Sequence, residues 1–266
     1  MELNPSTDHS LDMRFGAIAR VITPSALERL KRSHVLIVGI GGVGSWTAES
    51  LARSGVGRIS LVDLDDVCIT NINRQIHAMT STIGRPKVQV MKDRLSDIAP
   101  ECEVTTVHDF FDKTTFDQIL SQSFDMVIDC IDSLANKCLL IHECKKRSIP
   151  IITVGGAGGK VDPTQIRTSD LNQSTNDQLL KQVKRSLKRE WDWDKDDKAH
   201  WGVQAVFSLE RMKFLDSNGH LQYVPDLKQN RGINCTSGIG STSWITGSFG
   251  LFAASMAVQS LVKSAD

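Results

Sequence analysis

Gly39, Gly41 and Gly44 stand in a G-x-G-x-x-G pattern that begins directly after the apolar run Val35 to Val38. Val43, Thr47 and Leu51 then follow at helical spacing. A loop without side chains, with Gly42 inside it, lets backbone N–H groups close on an anion, and the start of a helix adds positive potential. Asp63 comes next, at the tip of a second strand, Arg58 to Val62, that follows Gly55 and Gly57. An acid about 20 residues beyond the glycines is placed to hydrogen-bond a ribose. The unit binds a nucleotide. Taken alone, the glycine pattern suggests a redox dinucleotide, but the next residues point elsewhere. Asp65, Asp66, Asn71, Asn73, Arg74 and Gln75 crowd the same end of the strands, and Lys87 opens a helix after Gly84-Arg85-Pro86. An arginine and a lysine aimed at one spot suit a triphosphate better than a hydride transfer. No G-x-x-x-x-G-K-[ST] loop occurs, so ATP is held by the strand–glycine–helix unit itself.

These segments also carry a resemblance. GIGGVG, DLDDVCITNINRQ, GRPKVQVMKDRL and VIDCIDS, in that order, resemble the adenylating superfamily of ubiquitin-activating enzymes and bacterial sulfur-carrier activators. RFGAIARV, NRQIHA and ITVGGAGGKVDPTQI resemble its tRNA threonylcarbamoyladenosine dehydratase branch, over nearly the whole chain. The resemblance implies a Rossmann-like, doubly wound α/β fold: a mostly parallel sheet, helices on both faces, and a C-terminal extension continuing the sheet. It implies ATP-dependent dehydration of threonylcarbamoyladenosine beside the tRNA anticodon, by adenylation of its carboxylate. It also implies magnesium, a cytoplasmic homodimer, and sulfur-transfer proteins as partners. Gly39, Gly41, Gly42, Gly44, Asp63, Asp65, Asn71, Arg74 and Lys87 would bind the nucleotide. Arg74, Lys87, Asp132 and Arg14 would act on the reaction, Arg14 by reaching across the dimer. Position alone leaves Asp129 and Asp132 both open as metal ligands, or as caps of the next helix. The family pattern favours Asp132.

The elements that must position these groups read in order. Residues 1–33 form an N-terminal helical segment, 34–160 the nucleotide-binding core, and 161–266 a substrate-binding and dimer-forming extension of one domain. A helix from Lys87 places Val88, Met91, Leu95 and Ile98 on one face and stops before Pro100. Strands are expected at Cys102 to Val107, Phe124 to Asp129, Ile149 to Val154 and Gly202 to Glu210, with a helix from Ser133 to Arg147. Gly155 to Gly159 leave carbonyls uncovered, so the loop is either a plain turn or a site for a monovalent cation. Ser169 to Asp177 reads as a surface loop. The chain has 266 residues, 40% of them hydrophobic, and a formal net charge of +0, so bulk charge names no partner and any nucleic-acid surface is local. MELNPSTDHS has neither a basic nor an apolar region of a signal peptide. The six cysteines form no C-x-x-C pair and read as reduced thiols, with no structural zinc.

One basic concentration exists. In QLLKQVKRSLKRE, Lys181, Lys184, Arg185, Lys188 and Arg189 recur at three and four, opposite Leu180, Val183 and Leu187. Such a face either meets tRNA phosphates or is merely solvated. Trp191 and Trp193 either stack on bases or pack against the helix end. The uncharged stretch between Arg231 and Lys263 is long enough to cross a bilayer, yet its Gly, Ser, Thr and Gln content reads as a helix from about Ser241 packed into the sheet or a dimer contact. No cysteine lies between Gly159 and Asn234, so a thioester by that route is excluded, and Cys235 reads as inert packing. Two rival functions stand beside the dehydratase. One is adenylation of a small sulfur-carrier or ubiquitin-like protein's C-terminus, and the other is a non-catalytic nucleotide or redox module.

Overall fold

A Thr-Pro pair separates the first two helices, α1 (Thr7–Ile22) and α2 (Pro24–Arg32), in a computed structural model describing residues 7–216, 218–224 and 239–263. The Thr23 hydroxyl accepts from the Ala26 N–H at 3.2 Å, and Pro24 sits in the first turn, where a missing N–H costs nothing. The chain then enters β1 (His34–Val38), whose five residues are all buried because helices cover both faces. There follow α3 (Gly44–Arg53), β2 (Arg58–Val62), α4 (Lys87–Ile98), β3 (Glu103–Val107), the short α5 (Phe116–Ile119), β4 (Met126–Asp129), α6 (Leu134–Lys146) and β5 (Ile151–Val154). After β5 come β6 (Ile166–Asp170), α7 (Gln178–Glu190), β7 (Gln204–Ser208), a β8 (Phe214–Leu215) and β9 (Leu221–Gln222) hairpin, and α8 (Ser243–Lys263).

Seven strands form one sheet in the order β3-β2-β1-β4-β5-β7-β6, parallel except for β6. The chain leaves β1 in one direction to β2 and β3, and in the other to β4 and β5. The crevice beyond the C-terminal ends of β1 and β4 is therefore the topological switch point, where open α/β sheets hold ligands. One core joins α1, α2, α3, α4 and α8 to the sheet, and a second joins α6 and α7 to its other face. The doubly wound architecture and the C-terminal continuation of the sheet match the sequence reading.

One segment differs from it, and at a second the structure decides between readings left open. Ser169 to Asp177 is no surface loop, because its first residues finish β6 and Asp170, Leu171, Asn172, Ser174 and Asp177 are buried. Their short polar side chains satisfy local backbone groups, as where Asp170 accepts from the Trp201 and Gly202 N–H groups. The C-terminal helix begins at Ser243 and is apolar and long enough to span a bilayer, but Ile245, Phe249, Ala253, Ala254 and Ala257 are buried against α3 and the sheet. It is a core helix. Pro225 and Cys235 lie outside the described residues.

His77, in the connection between β2 and α4, is fully buried, and burial pushes its pKa down from 6.5 to about 4, with the Lys87 and Arg94 charges adding to the effect. The folded chain keeps this ring neutral where the unfolded chain would protonate it. Stability from His77 is thus complete above pH 6.5 and drains away as pH falls toward about 4. The total is on the order of 3 kcal/mol. Thermal melts across this range should show the decline, and His77→Gln should flatten it.

Candidate active site

The C-terminal ends of β1, β2 and β4 open onto a cleft of about 770 Å³ lined by Gly39, Gly41, Gly42, Asp63, Asp65, Asn71, Arg74, Lys87 and Asp132. Every nucleotide-site residue singled out above except Gly44 lines it. Gly44 starts α3 behind the loop, pressed against the Gly39 carbonyl. Asp63 ties the loop to β2: one carboxylate oxygen accepts from the Ile40 N–H at 2.6 Å and the other from the Asp65 N–H at 2.9 Å. Burial pushes the Asp63 carboxyl above its ordinary value, while the Lys87 ammonium pulls it back.

Lys87 opens α4 and is nearly buried, with Nζ 2.6 Å from Asp65 Oδ2 and 3.8 Å from Asp63 Oδ1. Two carboxylates therefore hold its stem and head in place before any ligand arrives. Arg74 Nη1 donates to the Thr70 carbonyl at 2.8 Å and to Asn73 Oδ1 at 3.0 Å. Its own carbonyl accepts from Trp46 Nε1 and the Thr246 hydroxyl, anchoring the segment to α3 and α8. Asn71 Oδ1 accepts from the Cys68 N–H, which leaves the donor end of the amide for a ligand. Cys130 also lines the cleft, but burial pushes its thiol up to about 12, so it is no nucleophile at neutral pH.

The two aspartates at the end of β4 separate. Asp129 is fully buried, paired with Lys137 Nζ at 2.9 Å and accepting from the Thr153 hydroxyl at 2.6 Å, so it is not available as a metal ligand. Asp132 is exposed on the cleft wall, and the α6 N-cap is Ser133, without a side-chain cap hydrogen bond. Among the described residues no group of three or more His, Cys, Asp or Glu is arranged for a metal. A magnesium ion held by one carboxylate together with phosphate oxygens and water needs no all-protein cage, and Asp132 is a carboxylate open to the cleft.

The remaining groups lie partly on the cleft and partly away from it. Arg14, on α1, donates to the Ile98 carbonyl at the end of α4 and is not part of its own chain's cleft. Gly155 to Gly158 line the cleft, but the Lys160 ammonium donates to the Gly156 carbonyl and lies 3.5 Å from Asp177, so a fixed side-chain cation already sits where a monovalent ion was envisaged. On α7, Lys184 Nζ donates to the Asn172 and Ser174 carbonyls at 3.1 and 2.7 Å, and Lys188 Nζ binds Asp197 at 2.6 Å. These two lysines are engaged within the chain, not free for phosphates as their spacing suggests. Arg189 pairs with Glu190, while Lys181 and Arg185 are exposed. Trp193 packs on Trp201 and donates to His142, and Trp191 stacks on that histidine, so both indoles serve the core. Leu179, in the first turn of α7, lines the cleft, which puts the basic helix beside it. Phe110 and Asn136 also line the cleft, and neither these positions nor Leu179 carry a periodic or charged signal in the sequence.

A bare glycine loop, an acid at the tip of β2 and two cations share one cleft at the switch point of a doubly wound sheet, the arrangement of a nucleotide-binding domain. The ThiF family pattern matches residues 16–264. The tRNA threonylcarbamoyladenosine dehydratases of Haemophilus influenzae and Escherichia coli are each 42% identical to the chain, over 95% of it and 94% of their own length. A solved structure of the E. coli enzyme in complex with ATP superposes with a TM-score of 0.84 at 40% identity, covering 96% of both chains. The chain belongs to the ThiF family and, within it, to the tRNA threonylcarbamoyladenosine dehydratases.

Proposed function

We propose that this protein uses ATP to dehydrate threonylcarbamoyladenosine in tRNA, closing a ring through an acyl adenylate. The observation that carries the reading is the convergence of the glycine loop, Asp63, Arg74, Lys87 and Asp132 on one cleft. A carboxylate is a poor electrophile because oxide would have to leave. Transfer of the α-phosphoryl group to the carboxylate releases pyrophosphate and makes that oxygen part of AMP. The carbamoyl group of the same modification then attacks the acyl carbon, the bond to AMP breaks, and a proton is lost to solvent, so the net change is one water.

Gly41 and Gly42 bring backbone N–H groups to the phosphates, and Asp63 accepts from the ribose. Arg74, Lys87 and the Asn71 amide face the charge that builds on the phosphorus. Asp132 would hold magnesium, which offsets charge on the leaving pyrophosphate when bound. No side-chain nucleophile is required, which agrees with the raised Cys130 thiol. Arg14 serves a cleft only through a second copy, so its assigned role goes with a homodimer. The protein would meet tRNA in the cytoplasm, with sulfur-transfer proteins as further partners.

Mass spectrometry of nucleosides from modified tRNA incubated with the protein, ATP and magnesium should show loss of one water. An unchanged mass, with pyrophosphate release supported by a carrier protein, would overturn the reading. Lys181 and Arg185, exposed on the helix that reaches the cleft, are the groups we assign to tRNA phosphates. Lys181→Ala/Arg185→Ala should weaken tRNA binding and reduce the slope of log affinity against log salt by about 2. Lys184→Ala should act through stability instead, visible as a lower melting temperature.

A further inference from the structure

Lys137, on α6, is among the largest fully buried side chains. Its ammonium pairs with Asp129 Oδ2 at 2.9 Å and donates to the Ile131 carbonyl at 2.8 Å. Asp129 Oδ1 accepts from the Ile131 N–H at 3.1 Å, and the Thr153 hydroxyl steadies its other oxygen. Both polar groups of the Ile131 backbone are thus held from below by one buried pair. The next residue is Asp132, exposed on the cleft wall.

We infer that Lys137 is a positioning residue, clamping the Ile131 backbone through its pair with Asp129 so that the Asp132 carboxylate is presented to the metal and pyrophosphate. The inference rests on the proposed reading of Asp132 as the magnesium-holding group. A buried ion pair is a weak source of stability, since apolar residues of similar volume often serve as well. Its value lies in direction, because Lys137 and Asp129 hold the carbonyl and the N–H of one residue, with Thr153 fixing Asp129. The pair also neutralises Asp129, so no further negative charge faces phosphates in a cleft that already carries Asp63, Asp65 and Asp132. A supporting contact behind a metal ligand of this kind is known to tune metal affinity about 10–100-fold when it is lost.

The test is calorimetry of ATP binding with magnesium and with EDTA, on the full-length protein, alongside melting temperatures. Asp129→Leu/Lys137→Met replaces the ion pair with apolar side chains, adding volume at position 129, and removes the clamp. It should bind ATP in EDTA like the parent, while the factor by which magnesium tightens binding falls about tenfold, toward that of Asp132→Asn. Thr153→Val, which removes one hydroxyl, should show a smaller fall and decides the matter if the double variant does not fold. An unchanged magnesium effect in a folded clamp variant, with Asp132→Asn impaired, overturns the clamp alone. If Asp132→Asn itself leaves the magnesium effect intact, the metal assignment fails and the clamp with it.

Discussion

Lys87→Ala lowers kcat for dehydration roughly 10²- to 10³-fold, the usual loss when one preorganised group facing developing charge is removed. Lys87 is a fixed cation, not a flexible surface lysine: it begins α4, is 6% exposed and is held between Asp65 and Asp63. No reorganisation is then needed as charge builds on the phosphorus. Removal has a second effect. Burial already pushes the Asp63 carboxyl up, and Lys87 is the main charge opposing that push. Without it the Asp63 pKa rises further, so the proposed ribose acceptor loses its charge, and with it the stronger hydrogen bond, at higher pH. The acid limb of the pH–rate profile therefore moves upward, and the deficit of the variant grows as pH falls. Lys87→Met, with similar bulk and no charge, should behave the same way, while a profile parallel to the parent's would remove Lys87 from the reaction.

Gly44→Ala abolishes ATP binding and destabilises the fold by about 1–3 kcal/mol or more. A Cβ on Gly44 would fall inside the Gly39 carbonyl oxygen; that oxygen is backbone and the Cβ has no torsion to turn it away, so neither can step aside. Gly39, with a φ of +92° and room for a Cβ only 2.8 Å from the Cys130 carbonyl, is constrained from the other side. The loop fits between β1, β4 and α3 only when bare. Gly156→Ala is the control: it lies on the same cleft, its Cβ would meet nothing within 4 Å, and its melting temperature should stay at the parent's. Calorimetry and melts of the variants separate the two outcomes.

The readable parts of this chain were those where local chemistry leaves one answer. HVLIV followed by three spaced glycines and an acid after the next strand can do little but bind a nucleotide, and these groups do share one cleft. Charge spacing on α7 was less informative. It shows which residues share a face, but not that the Asn172 and Ser174 carbonyls converge on Lys184, because those contacts depend on a buried turn that reads as polar loop. Asp129 and Asp132 could not be separated by position, since the decision rests on the partner supplied by Lys137. A signal for that partner was present: Leu134, Lys137, Cys138 and Ile141 lie on one helical stripe, and a lysine there must be paired if the stripe is buried. Arg14 was assigned through resemblance alone, and its own chain gives it a different contact, the Ile98 carbonyl.

The phosphate loop is braced by the far end of the chain. Gly250 packs against the Val43 carbonyl, the Thr47 hydroxyl reaches the Gly250 carbonyl 203 positions away, and Thr246 touches the Arg74 segment. During synthesis α8 emerges after the other elements that line the nucleotide pocket, so a nascent polypeptide still lacking it carries the glycines without the helix that braces them. A chain cut short before Phe249 is expected to lose nucleotide binding, since it lacks the Gly250 and Thr47 contacts behind the loop.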